Sequence, residues 1–245
     1  MPEGFAYLIT CEHASRFIPH RYRRFPGPRI CRRPAHEQWD PGAAVLAREM
    51  ARLLRAPYFP GTVNRLLVEL NRSLTHRELF SPYSQSLPEN QRSRLLLDYY
   101  YPYRYAVMHQ LEALLAENLT VVHLSIHTFA PRLRGEVRRT DFGLLFDPLI
   151  PREKSLSEMW LEQIHREDPQ LRVRANYPYL GTADGHVPLL RRITRRAPYL
   201  GFELEFNQAL GQQKEWENIA PELARLVTGS LRQCLRRKSA RRLLR

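Results

Sequence analysis

Short apolar runs alternate along this chain with longer stretches of helical spacing. The clearest run is Thr120-Val121-Val122-His123-Leu124-Ser125-Ile126, rich in β-branched residues and bounded by Glu117-Asn118 and Pro131. Such a run predicts a central strand buried on both faces, ending where His127 stands. Phe5–Thr10 predicts a first strand, Ala56–Phe59 a short one and Arg65–Leu70 a firmer one. Asp141–Asp147 and Tyr199–Phe206 read as further strands, with Leu171–Ala175 at an edge.

Helical spacing fills the intervals. Val45, Leu46, Met50, Leu53 and Leu54 share a face after Asp40-Pro41-Gly42, with Asp40 as N-cap and Pro41 at the first helical position. Two helices are expected near 91–100 and 103–117, separated at Pro102. Others are expected over Ser155–Arg166, near 186–194, and from about Glu215 to Arg237. The segment 74–91 reads as an irregular excursion, and Arg132–Arg139 as a basic loop. Strands alternating with helices predict an α/β fold with a mostly parallel sheet covered on both faces. One domain over residues 1–231 and a basic tail over 232–245 account for the chain.

Charge adds a second possibility. The net charge is +13, from 38 basic and 25 acidic residues. The last fourteen residues hold seven basic side chains and no acid, so the remainder carries 31 against 25. The excess is therefore largely a tail. A basic protein holding nucleic acid on an enzyme-like fold is the alternative this balance leaves open. No run approaches the roughly 20 apolar residues of a membrane span, and Met1–Phe5 lacks a secretion-signal pattern. Cys11, Cys31 and Cys234 are too scattered for a disulfide framework. A cytoplasmic protein is expected. P-loop, GxGxxG, GxSxG and HExxH motifs are all missing.

The chemistry gathers at strand ends: Glu12-His13, Asn71-Arg72, His127, and the pair Glu203 and Glu205. Strands of one parallel sheet end on one edge, where ligands bind. Two imidazoles and a carboxylate make a catalytic zinc shell, and a further glutamate can serve as general base. Plain readings stand beside these. A histidine at a strand end is often only a packed polar residue, and His36, His76, His109, His123, His165 and His186 are placed in that class. Asp40 can be only a helix cap. Glu203 and Glu205 share one strand face, and paired buried acids are costly without a partner.

Taken in order, several motifs carry a resemblance. Thr10-Cys11-Glu12-His13-Ala14-Ser15, Trp39-Asp40-Pro41-Gly42-Ala43, Arg65 to Arg72, Ile126-His127-Thr128-Phe129, Arg139 with Asp141-Phe142-Gly143, Asn176-Tyr177-Pro178-Tyr179 and Glu203-Leu204-Glu205 resemble the N-formylglutamate amidohydrolase family across roughly residues 5–210. The resemblance implies a fold similar to zinc carboxypeptidases and aspartoacylases, with a mixed, mostly parallel sheet sandwiched by helices. It implies cleavage of the amide C–N bond of a small anionic N-acyl amino acid, N-formyl-L-glutamate giving formate and L-glutamate. It also implies Zn2+ or another divalent metal. His13 and His127 match the two histidine ligands. The relatives' HxxE spacing is not met, since Arg16 stands third after His13, and Asp40 takes the carboxylate position with Glu12 as second choice. Glu205 is expected as base, with Glu203 the alternative, and Arg65 as oxyanion partner. Asn71, Arg72 and Arg139 are expected to hold substrate carboxylates. Where the family often reads EIR, this chain has Glu205-Phe206-Asn207. Another N-acyl amino acid or peptide at the same site stays open.

Overall fold

The computed structural model describes residues 4–213 and 215–237. Its strands are β1 (Phe5–Cys11), β2 (Tyr58–Pro60), β3 (Thr120–Phe129), β4 (Arg132–Leu133), β5 (Glu136–Val137), β6 (Phe142–Leu145), β7 (Val173–Ala175) and β8 (Tyr199–Asn207). Its α-helices are α1 (Gly27–Cys31), α2 (Ala35–Gln38), α3 (Ala43–Leu54), α4 (Pro82–Gln85), α5 (Glu89–Leu95) and α6 (Tyr101–Ala116). They continue with α7 (Pro151–Glu167), α8 (His186–Ile193), α9 (Ala209–Gln213) and α10 (Trp216–Arg236).

Six strands form one sheet in the order β2-β1-β3-β8-β6-β7, and β4 pairs with β5 in a separate hairpin. Every neighbour in the large sheet is parallel except β6 against β8. The mostly parallel sheet predicted from the alternation is therefore present, and the one antiparallel pair makes it the mixed sheet that the resemblance implies. Every residue of β3 and β8 is buried, as expected for central strands covered on both faces.

Each face has its own helices and core. Ile9, Val122, Leu124, Ile126, Phe202, Leu204 and Phe206 pack on one face with buried residues of α3, α7 and α10. Leu8, Val121 and Tyr199 pack on the other with α6, α8 and residues of the 63–95 region. Strand side chains alternate between faces, so this division fixes where the polar residues go. With the even positions of β3 and β8 in the first core, Ser125, His127, Glu203 and Glu205 belong to the second face.

Glu153 of α7 and Arg191 of α8 brace that second face from beneath. One Glu153 oxygen accepts from Arg191 Nε at 2.9 Å and from the Gly201 N–H at 2.9 Å. The other accepts from the Asp147 N–H at 3.0 Å. Arg191 also donates to the carbonyl of Gly201 at 2.6 Å and to that of Gly181. Removing one partner of a buried pair strands the other charge, at a cost of about 3–5 kcal/mol. Arg191→Met is therefore expected to destabilise the protein by that amount, measured as a lower denaturant midpoint at unchanged slope.

Four expectations need correcting. Arg65–Leu70 is not a strand: Leu67, Val68 and Leu70 are buried, but the backbone turns, with Leu67 N–H on the Asn64 carbonyl and Glu69 N–H on that of Leu79. An apolar run reports burial, and a packed loop buries as well as a strand does. Pro102 does not separate two helices. A π-helical turn at Leu96–Tyr100 joins α5 to α6, and such a turn absorbs the missing N–H and ring bulk of a proline.

β3 does not stop at His127 either. Its pairing with β1 ends at Ser125, while its pairing with β8 runs on to Phe129. Ile126–Phe129 thus project beyond β1 and open a notch there. Finally, the chain is not a free tail from residue 232. α10 continues through Arg236, with Cys234 and Leu235 buried and Arg232 donating to the Leu53 carbonyl at 2.7 Å. The rest of the expected tail, residues 238–245, lies outside the described residues. No helix among them is long and apolar enough to cross a membrane.

Candidate metal centre and active-site cleft

The notch beside β3 opens into a cleft of about 1030 Å³. Two loops and strand β3 bring its donors together. His13 follows β1, and the Asp40 N–H donates to the His13 carbonyl at 3.0 Å, tying the second loop to the first. Asp40 is not an N-cap, as the local pattern suggests. Gly42 is the residue before α3, at φ 89°, and no side chain caps the helix. That left-handed φ suits glycine, and it leaves the Asp40 carboxylate free to face His127.

Three donor atoms meet there. His13 Nδ1 lies 3.1 Å from Asp40 Oδ2, His127 Nδ1 lies 2.9 Å from the same oxygen, and the two nitrogens are 3.2 Å apart. A tetrahedral zinc ion with bonds of about 2.0 Å requires donors about 3.3 Å apart. The remaining ring nitrogens are also partnered. His13 Nε2–H donates to Glu69 Oε1 at 2.5 Å. His127 Nε2–H faces Ser125 Oγ at 2.9 Å and Glu12 Oε2 at 3.3 Å. With Nε2 protonated toward a carboxylate, Nδ1 keeps its lone pair for a metal, the usual arrangement around histidine ligands.

The charge balance also fits a cation. Glu12, Asp40, Glu69, Glu203 and Glu205 are all buried. Arg65 is the guanidinium bonded among them, at 3.2 Å from Asp40 Oδ1 and 2.7 Å from Glu69 Oε2. Burial raises the Asp40 and Glu69 carboxyls, but His13 and Arg65 outweigh it and hold both well below the usual range. Burial likewise disfavours charge on His127, yet its contacts with Asp40 and Glu12 hold it well above an ordinary histidine.

The glutamate pair occupies the opposite wall. Glu205 stands across from His127 in the β3–β8 register, and Glu203 across from Ser125. Both line the cleft. Burial pushes Glu205 up to about 8, with Asp40 and Glu203 adding to the rise against the pull of His127. Burial raises Glu203 as well. Gly143 faces Glu205 from β6. A Cβ there would sit 1.7 Å from the Tyr177 carbonyl oxygen, so glycine permits this close approach.

Of the residues expected from the sequence, His13, Asp40, Arg65, Asn71, Arg72, His127, Glu203 and Glu205 line the cleft. Glu12 lies behind His127, where it accepts from Ser125 at 2.6 Å, Tyr103 at 2.9 Å and His186 at 3.1 Å. The Asn71 side chain spans between Glu203 at 3.4 Å and the His186 N–H at 2.7 Å. Arg72 Nη1 donates to the carbonyls of Asn71 and Asp184 at 3.0 and 2.8 Å.

Arg139 does not reach the site. It is exposed and outside the cleft lining, whereas its neighbour Arg138 is buried and lines it. Two residues escape the sequence reading. Glu69 is hidden inside the expected 65–70 strand, although an Arg65–Glu69 spacing of four is visible there. Arg138 carries no signal apart from the other basic residues of its loop.

The profile of the N-formylglutamate amidohydrolase family matches residues 5–210. A gene product of Agrobacterium tumefaciens, Atu2144, is similar in structure, with 26% identity and a TM-score of 0.76 over 95% of this chain and 92% of that one. The N-formylglutamate amidohydrolase of Ralstonia eutropha is 19% identical, with a TM-score of 0.68 over 95% of this chain and 96% of its own; it shows the shared fold. No curated protein matches the chain in sequence. A match of this extent, ordered along the strands and loops that build the cleft, places the chain in the N-formylglutamate amidohydrolase family, hydrolases acting on amides.

Proposed function

We propose that the protein is a metal-dependent amidohydrolase that cleaves the amide C–N bond of an N-acyl amino acid. N-formyl-L-glutamate is the family's reference substrate, giving formate and L-glutamate. The observation that carries this reading is the convergence of His13 Nδ1, His127 Nδ1 and Asp40 Oδ2 within 3.2 Å of one another, inside a cleft that Glu205 lines. These three residues would hold Zn2+ or another divalent ion. Such an ion lowers the pKa of a coordinated water to about 7 and polarises a carbonyl.

The side chains supply the rest. Glu205 takes a proton from the attacking water and returns it to the leaving amine. Glu203, with Asn71 at 3.4 Å from its carboxylate, is held in place beside it. Arg65, fixed by Asp40 and Glu69, is the cation available to the developing oxyanion. Glu69 and Glu12 orient the two imidazoles from behind.

A chelator is expected to abolish amide hydrolysis, and equimolar Zn2+ to restore it. Metal analysis beside a panel of N-acyl amino acids tests both halves of the reading. Binding to the folded state alone also raises the melting temperature, by an amount that grows with metal concentration. Protein that hydrolyses these amides equally well after exhaustive chelation would refute the metal assignment.

A further inference from the structure

Three arginines stand in the inner wall of the cleft, and two are already engaged. Arg65 is matched by Asp40 and Glu69. Arg72 has no carboxylate partner among the described residues either, but its Nη1 is committed to two backbone carbonyls. Arg138 differs. It is only 8% exposed, and no carboxylate pairs with it among the described residues. Its guanidinium carbon lies 6.0 Å from the centre of the Phe129 ring and 5.5 Å from that of Tyr179. Two aromatic faces steady a planar cation without neutralising it, and its donor fork matches a carboxylate.

The position is also fixed. Arg138 N–H donates to the Pro131 carbonyl at 2.8 Å, and its own carbonyl accepts from Asn207 Nδ2 at 2.8 Å. Phe129 lies two residues beyond His127 on β3, and Asn207 two beyond Glu205 on β8. Two residues of strand span about 6.7 Å. Arg138 is thus tied to the next cleft-facing positions along β3 and β8 from His127 and Glu205.

For a second carboxylate, Arg72 is the other inner-wall arginine without an acidic partner among the described residues, and its Nη1 is turned to the backbone. Arg77, Arg132 and Arg134 line the mouth, but all are exposed, and Glu37, Glu78 and Asp184 stand with them. Exposed charges of mixed sign contribute little. Apolar surface is plentiful instead: Leu66, Phe80, Leu133 and Leu180 line the cleft, and Leu180 is 63% exposed.

We infer that Arg138 anchors the substrate's carboxylate, and that the cleft selects an N-acyl amino acid with one carboxylate and an apolar side chain over dianionic N-formylglutamate. This rests on the amidohydrolase reading. The test uses zinc-loaded protein with N-formyl-L-leucine, N-formyl-L-glutamate and N-formyl-L-leucinamide. Values of kcat/KM come from turnover, and dissociation constants from calorimetry on the Glu205→Gln variant, which slows it. N-formyl-L-leucine is expected to exceed N-formyl-L-glutamate about tenfold and the carboxamide about thirtyfold or more. Arg138→Gln should bring the acid down to the level of the carboxamide.

Equal values for acid and carboxamide in the unsubstituted protein overturn the anchor, whatever the variant does. Preference for N-formyl-L-glutamate overturns the selectivity. Should no amide be cleaved while binding still separates acid from carboxamide through Arg138, the amidohydrolase reading fails and the anchor stands.

Discussion

Replacing His127 by alanine is expected to reduce bound divalent metal to a small fraction of one per chain and to lower amide hydrolysis by about a thousandfold or more. His127 supplies one of three donor atoms, and its Nδ1 lies within 3.2 Å of both others. Without it only Asp40 and His13 remain, 3.1 Å apart, and two donors do not fix a tetrahedral ion. Glu12→Gln makes the informative comparison. Glu12 is fully buried and meets His127 through Nε2, away from the donor set. An orienting partner of that kind is worth about ten- to a hundredfold in affinity or activity. The two variants should therefore separate by at least a factor of ten in metal affinity, measured by competition with a chromophoric chelator. Equal losses would mean that His127 is a packing residue and that the ion, if one binds, sits elsewhere.

The same residue shows how far the sequence can be read. Burial of β3 is legible from its run of β-branched residues, and so is a mostly parallel sheet, because both follow from local periodicity; its antiparallel pair is implied only by the family resemblance. Convergence of His13 with His127 follows from topology, since parallel strands end on a common edge. Asp40 is harder. A local pattern makes an aspartate before Pro-Gly a helix cap, and only the bond from its N–H to the His13 carbonyl reveals the turn that redirects it.

Glu69 and Arg138 mark the limit. Each sits in a segment without regular structure near the cleft, so no period says where its side chain goes. Arg138 and Arg139 are adjacent and chemically identical, yet one is buried against Phe129 and Tyr179 while the other is exposed. What decides between them is the β4–β5 hairpin and the bond from Asn207. The hairpin is local, but the bond from Asn207 is long-range, and composition does not encode it.

Glu205→Gln is expected to split catalysis from stability. Removing a general base lowers kcat by about 10²- to 10⁴-fold, and bound metal should stay near one per chain because Glu205 is not among the three donors. In the metal-free protein the effect on stability has the opposite sign. Burial raises the Glu205 carboxyl from 4.5 to about 8, so the folded state holds this proton more tightly than the unfolded chain does. A raised carboxyl pKa gives stability that is complete below about 4.5 and is lost as pH climbs toward 8. At pH 5 the metal-free variant and its parent should unfold at similar denaturant concentrations. At pH 8.5 the variant should be the more stable, by up to about 4 kcal/mol, since each tenfold difference in proton affinity is worth about 1.4 kcal/mol. An acid retained at such a cost is the trade expected where function requires a buried charge. Chemical denaturation of both chelated proteins across pH 5–9 checks the sign. A variant that is less stable at every pH would show that Glu205 serves the fold, and the base would then have to be sought in Glu203.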